Sequence, residues 1–447
     1  MRPYSFFLLV FLCPALLFCK CDVERLLEER INGGGGTGIV VGIVDGPNVE
    51  IFSYGQLSTK NAKKVDERTL FEIGSLTKIF TTILLEEKVL QGEISLSDPV
   101  QRYLPEGFFL PERNGKAITF QHLATHTSGL PYCPTNHVVQ SISNPYASYT
   151  KKEFDDFFQQ YQLTRDPGER YEYSNVGIGL LGNLLADLEG VDYETLVTTH
   201  ICQKLGMQST VTHLTSDMFE RLARPHLGKS EVDLWDFPAF PAAGALHSCV
   251  QDLLIFLRAN MGQINTPLTN PMAYSHQKIC QSDNPEEDVG LGWAISHRFL
   301  PEIVWHNGGT GGYRSFLGFC KSRQRGVVIL TNSTTRIEDI GFHLIDERYP
   351  LEATCEKILL DPVVLQGYEG KYHHWLGLSC MIYQSGGQLY VQAKGFPDAL
   401  ALPLAENRFF FQGISAQIAF ESNSSGERIM IVTYGNQRYV FKRCADS

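Results

Sequence analysis

Residues 71–92 read F-E-I-G-S-L-T-K-I-F-T-T-I-L-L-E-E-K-V-L-Q-G, and the rest of the chain is arranged around them. Gly74 and Ser75 open a run carrying Ile79, Phe80, Ile83, Leu84, Leu85, Val89 and Leu90. Apolar residues on nearly every face predict a helix buried all round, and Gly92 marks its stop. Ser75 falls at the N-terminal end, where unpaired backbone N–H groups and the helix dipole favour negative charge. Lys78, three residues on, lies one turn along the same face. Burying an ammonium is costly and lowers its pKa. Serine oxygen, lysine and helix N-terminus together make an activated nucleophile. The alternative is an N-cap serine beside a lysine that snorkels to water.

Ser-x-x-Lys is a weak pattern and occurs three times, at Ser75/Lys78, Ser148/Lys151 and Ser275/Lys278. Ser148 follows Asn144-Pro145 and precedes an acidic, polar helix start, which reads as a cap. Ser275 lies in a polar stretch with no buried helix behind it. Only Ser75 opens a long apolar helix.

A chain of 447 residues exceeds one ordinary core, so two domains are expected. Hydrophobic content of 43% and charged content of 19% describe a globular protein. A net charge of −11 without a long basic run argues against nucleic acid as a partner. At the N-terminus, Met1-Arg2-Pro3 precedes a mostly apolar run from Phe6 to Phe18, broken by Pro14. It is too short to span a bilayer and reads as an export signal over residues 1–21, cut near Cys19–Cys21. The protein is therefore expected in the periplasm or secreted, with membrane attachment only through a lipid at Cys19 or Cys21. No other stretch has the length and apolarity of a transmembrane helix.

Eleven cysteines are present, three of them in or beside the signal, leaving eight. Export permits disulfides and eight cysteines allow 105 pairings, but for each isolated cysteine a buried thiol is expected. C-x-x-C and H-E-x-x-H are absent, so neither metal nor cofactor is expected.

Along the chain, residues 22–36 read as a short polar helix. Gly38–Val44 and Val49–Tyr54 read as strands around the Asp45-Gly46-Pro47-Asn48 turn. Short helices are expected at 119–128 and Phe154–Tyr161. A glycine-rich helix runs from Val176 to Leu188, where glycine weakens the helix unless close packing demands it. Ser248 reads as the N-cap of a helix through Leu257. Leu291–Ile295, Ile303–Trp305, Tyr313–Cys320 and Gly326–Thr331 read as antiparallel strands, followed by a helix over Ile337–Ile345. The expected fold class is α+β, one antiparallel sheet built from both ends of the domain with a helical cluster, spanning residues 22–355. From residue 362 onwards come Met381–Gln384, Gln388–Gln392, Arg408–Gln412, Ile418–Glu421, Arg428–Thr433 and Arg438–Lys442. These short strands predict an all-β barrel within residues 356–447, a structural module.

Two further fragments carry chemistry. Tyr173-Ser-Asn175 sits on a loop before the glycine-rich helix; Tyr-x-Asn recurs at Tyr434/Asn436. His306-Asn307-Gly308-Gly309-Thr310-Gly311-Gly312-Tyr313 lies on a strand edge, where glycines permit close approach of another backbone. It reads alternatively as a tight hairpin with His306 a satisfied polar residue.

In this order, Ser75/Lys78, Tyr173/Asn175 and His306-Asn-Gly308 resemble the serine penicillin-recognising enzymes. The nearest branch holds class C β-lactamases, D-alanyl-D-alanine peptidases and some esterases. Phe71-Glu-Ile-Gly74, Leu123-Ala-Thr-His-Thr-Ser-Gly-Leu-Pro131, Pro167-Gly168, Gly290-Leu-Gly-Trp293 and Gly311-Gly-Tyr313 add to the match. The resemblance implies a β-lactamase/transpeptidase-like fold, and the terminal module resembles a lipocalin-like domain. It implies that Ser75 is acylated, that Lys78 takes part in removing its proton, and that Tyr173 relays a proton to the leaving group. Asn175 would hydrogen-bond Lys78 and the substrate amide, with His306, Asn307 and Gly308 also binding substrate. The N–H groups of Ser75 and Gly309 would form an oxyanion hole, where one donor is worth about 10²–10³ in rate.

The third motif is lysine-threonine-glycine in class C β-lactamases, and here it begins with histidine, mostly neutral at pH 7. The implied activity is therefore an exported acyl hydrolase acting on D-alanyl-D-alanine-type or peptidoglycan-type peptides, or on β-lactam amides. A class C β-lactamase proper, a carboxylesterase and a penicillin-binding homologue without turnover are the alternatives. Nothing in the sequence specifies an oligomeric state.

Overall fold

The computed structural model describes residues 20–444 except 35, 142, 229, 353–359, 375–378, 394–397, 412–415, 424 and 435–436. The expected signal at 1–21 thus lies almost wholly outside the described residues, as does the proposed domain boundary near 355. Nine strands form one antiparallel sheet. Their spatial order is Asn61–Lys64, Asn48–Ser58, Gly38–Asp45, Arg325–Thr331, Arg314–Cys320, Ile303–Gly309, Ala294–Ser296, Glu287–Val289 and Cys280–Gln281. The first hairpin joins the last strand, with Ile39 opposite Thr331 and Val44 opposite Gly326. Both ends of the domain meet in one sheet, as expected.

Both sheet faces are covered, so the central strands are apolar throughout rather than alternating. On one face lie the helices Lys20–Gly34 and Glu338–Ile345, packed on Ile39, Val41, Phe316 and Ile329. The first of these is less polar than expected: Val23, Leu27 and Ile31, spaced four apart, form a buried stripe. On the other face lies the helical cluster, with Thr77–Leu90, Asn175–Glu189 and Val250–Asn260 sharing one core. The helix Thr77–Leu90 is buried from Thr77 to Glu87, and Gly92 follows it at φ +77°.

Several element ends differ from expectation. The cap before Lys151–Gln160 is Thr150, paired with Glu153 in a capping box, not Ser148. Cys249, not Ser248, precedes Val250–Asn260; Ser248 pairs with Phe71 in a two-stranded ladder. The strand expected from Leu291 starts at Ala294, because Gly292 takes φ +72° in the turn before it. Ser275 is fully buried: its hydroxyl donates to Met272 O and accepts from Trp293 Nε1.

The terminal strands form a closed eight-stranded barrel from Gly370–His373 to Gln437–Arg443, closed by Tyr372 opposite Arg443. Two strands join the six expected, Gly370–His373 and Ala399–Ala405. The second carries Pro403, which argues against a strand unless a bulge accepts it; the register does shift between Pro403 and Ala405. Cys133, Cys202, Cys249, Cys280, Cys320, Cys380 and Cys444 carry no disulfide.

Candidate active site

Three segments converge at the start of the helix Thr77–Leu90. Gly74–Leu76 is a single 3-10 turn leading into it, and Ser75 is the one residue between Thr69 and Glu87 that is not buried. Lys78 Nζ stands 2.9 Å from Ser75 Oγ and donates to Ala243 O at 2.5 Å. That carbonyl is brought in by the glycines of the helix Asn175–Glu189. A Cβ on Gly179 would come within 2.6 Å of Phe240 Cβ, and one on Gly182 would strike Ala242 Cβ. Close packing, and not helix preference, therefore explains their density. Lys78 is wholly buried and pairs with no carboxylate among the described residues, so desolvation lowers its pKa to about 7.

The Tyr173 phenol faces Ser75, and burial holds it well above the usual range, with Ser75 opposing that shift. The Lys78 ammonium lies 5.0 Å from the Tyr173 ring centroid. Around that ring sit His126, stacked at 4.4 Å, Tyr132 at 6.0 Å and His306 at 6.3 Å. His306 Nδ1–H donates to Asn307 O at 2.5 Å. Burial, with Lys78 second, lowers its pKa to about 4. His306 is thus neutral at pH 7, and its free lone pair is on Nε2.

The strand Ile303–Gly309 pairs with Ala294–Ser296 only as far as Trp305. Beyond it, His306–Gly309 has a strand on one side alone, and its glycines press on the Ser75 turn. A Cβ on Gly308 would strike Ile73 O and stand 3.0 Å from Ser75 N; one on Gly74 would stand 2.7 Å from Gly309 N. Gly74 itself takes φ +50°. Ser315 Oγ–H donates to Ile73 O at 2.7 Å and locks the turn to the sheet. The N–H groups of Ser75 and Gly309 are neighbours for this reason.

Ser75, Lys78, Tyr173, His306, Gly308 and Gly309 are therefore gathered in one place. Asn307 is not. Strand alternation turns its side chain to the opposite face, where Nδ2 donates to Glu338 Oε1 at 2.6 Å. Only its backbone can meet a substrate. Asn175 lies beside the site, where its side chain acts on the Cys133 thiol and lowers its pKa against the larger effect of burial; the expected bond to Lys78 is not among the hydrogen bonds of Lys78. Three groups at the site had no role in the sequence reading: His126, Cys133 and Ala243 O. His126 stood within a quoted motif. Ala243 O carried no side-chain signal.

The family model described as Beta-lactamase matches residues 23–347. The D-alanyl-D-alanine-carboxypeptidase/endopeptidase AmpH of Escherichia coli (strain K12) is 27% identical over 341 residues, covering 72% of this chain and 87% of its own. A β-lactamase of Pseudomonas fluorescens is 26% identical over 351 residues, covering 69% and 91%. The octameric penicillin-binding protein homologue from Pyrococcus abyssi aligns in structure with a TM-score of 0.66 at 23% identity, over 94% of this chain and 99% of that one, a likeness of fold. The chain belongs to the β-lactamase family, whose members are serine hydrolases.

Proposed function

We propose that this chain is an exported acyl hydrolase working through a covalent acyl-Ser75 intermediate. The observation that carries the reading is the contact of Ser75 Oγ with a buried lysine whose pKa is about 7. At neutral pH a sizeable fraction of Lys78 is uncharged and can take the hydroxyl proton. Tyr173 keeps its proton across this range, which favours Lys78 over a tyrosinate as base. Ser75 Oγ attacks the acyl carbon while its proton passes to Lys78 Nζ. The resulting oxyanion rests on the N–H groups of Ser75 and Gly309. Tyr173 donates its proton to the leaving nitrogen or oxygen as the acyl bond breaks, and regains one from Lys78. Water then attacks the ester while the Lys78–Tyr173 pair accepts its proton, and that proton passes to Ser75 Oγ as the ester bond breaks and the acid leaves.

The substrates proposed are D-alanyl-D-alanine-type peptides and β-lactam amides, by kinship with AmpH and the β-lactamases. A neutral His306 favours a second reading, hydrolysis of uncharged esters, because it offers a substrate carboxylate no permanent cation. Turnover of a D-Ala-D-Ala peptide, a penicillin and a neutral p-nitrophenyl ester separates the two. His306→Lys should raise kcat/KM on the two acidic substrates relative to the ester. An equal effect on all three makes His306 a structural residue and removes it from the substrate site. Export, and a lipid at Cys19 or Cys21, belong to the same proposal; among the described residues no helix is long and apolar enough to cross a membrane.

A further inference from the structure

We infer that His126 is a positioning residue for Tyr173, holding the phenol on Ser75 through three contacts to consecutive residues of the Tyr173 loop. This rests on the proposed role of Tyr173 as the proton donor to the leaving group. The loop 171–174 has no regular structure of its own, so something outside it must fix the ring. His126 touches each of its last three residues. The His126 carbonyl accepts from Glu172 N–H at 2.8 Å. Its ring stacks on Tyr173 with centroids 4.4 Å apart and planes 27° from parallel. Its Nδ1 accepts from Ser174 N–H at 3.1 Å.

Two features show how firmly the histidine is held for this. Its backbone takes φ +58°, a region that a non-glycine residue occupies at a cost of about 1–3 kcal/mol unless its surroundings demand it. His126 is 3% exposed, so neither the stack nor the Nδ1 bond competes with water. The Ser174 donor also fixes the tautomer: Nδ1 carries the lone pair and Nε2 the hydrogen. Burial and the nearby Lys78 push His126 towards its uncharged form, and an uncharged imidazole does not repel a proton arriving at Lys78. A displacement of about 1 Å at a proton-transfer group can cost about 10²-fold in rate. The stack blocks displacement of the Tyr173 ring along its normal, towards His126, and the two backbone bonds at Glu172 and Ser174 restrain the loop on either side of it.

Proton donation matters for a poor leaving group and little for a good one. The test is therefore first-turnover acylation of the full chain by a p-nitroanilide and a p-nitrophenyl ester of the same acyl group. Tyr173→Phe should lower the anilide-to-ester rate ratio by about 10²-fold. His126→Asn tolerates positive φ and keeps an acceptor for Ser174 N–H but has no ring. His126→Phe keeps a ring but has no acceptor. Each should lower the ratio at least tenfold, with the ester rate falling much less than the anilide rate. A folded variant of either kind with the wild-type ratio overturns the inference, since a purely structural histidine would slow both substrates alike. If Tyr173→Phe itself leaves the ratio unchanged, the donor role of Tyr173 falls first, and the positioning role falls with it.

Discussion

In the proposed mechanism Lys78 is the residue on which the chemistry turns, and burial is what changes its behaviour. Its pKa near 7 means that the neutral amine grows as pH rises through 7. Acylation should fall about tenfold for each pH unit below 7 and level off above it, measured as first-turnover release from an activated ester. The same shift has a cost in stability. Between about pH 7 and 10.5 the unfolded chain binds this proton and the folded chain does not, so stability rises with pH across that window. Lys78→Met should therefore raise the unfolding midpoint at pH 6 while abolishing acylation, and its advantage should shrink towards pH 10.5. A variant less stable than the parent at pH 6 would contradict the burial argument. The 3.6-residue pitch was enough to pair Ser75 with Lys78 in sequence. The Ala243 carbonyl, 165 residues further on, was not accessible to that logic, because a backbone acceptor leaves no residue signature.

At the scale of elements, the turn Gly74–Leu76 and the strand Ile303–Gly309 work as a pair. The glycines of His306–Gly312 were readable as a place of close backbone approach, and what approaches is the Ser75 turn itself. Gly308→Ala puts a methyl group against Ile73 O and beside Ser75 N. It should cost about 1–3 kcal/mol of stability, and, if the Ser75 N–H is the oxyanion donor proposed above, should lower kcat far more than it raises KM. Unchanged kcat would show that the two N–H groups need not be this close. Asn307 illustrates the limit of reading motifs as lists: alternation along a strand sends every second side chain to the other face. Strands with plain alternation were legible from sequence, whereas Ala399–Ala405 was hidden by Pro403 and the bulge that accepts it. Thr150 and Ser148 are both plausible caps by composition; the capping box with Glu153 decides between them.

At the scale of the whole molecule, the sheet-and-helix body and the barrel have separate hydrophobic cores. Phe420 is 3% exposed within the barrel core and stacks on Tyr368 at 4.3 Å. Phe420→Ala should destabilise the barrel by about 3–5 kcal/mol, seen as an earlier unfolding transition, with Ser75 acylation unchanged below it. Loss of acylation while the barrel remains folded would move part of the site into that module. The nine-stranded order followed from early and late strands flanking helices, while barrel closure required the two strands that sequence patterning passed over. The claim on which everything else depends is that Ser75 carries the acyl group. Intact-mass and peptide mapping of the full chain, quenched seconds after addition of a penicillin or an activated ester, tests it most directly. The account predicts one added acyl mass, located on the peptide containing Ser75 and absent in Ser75→Ala. An adduct that persists in Ser75→Ala, or that maps to Ser148 or Ser275, would contradict it.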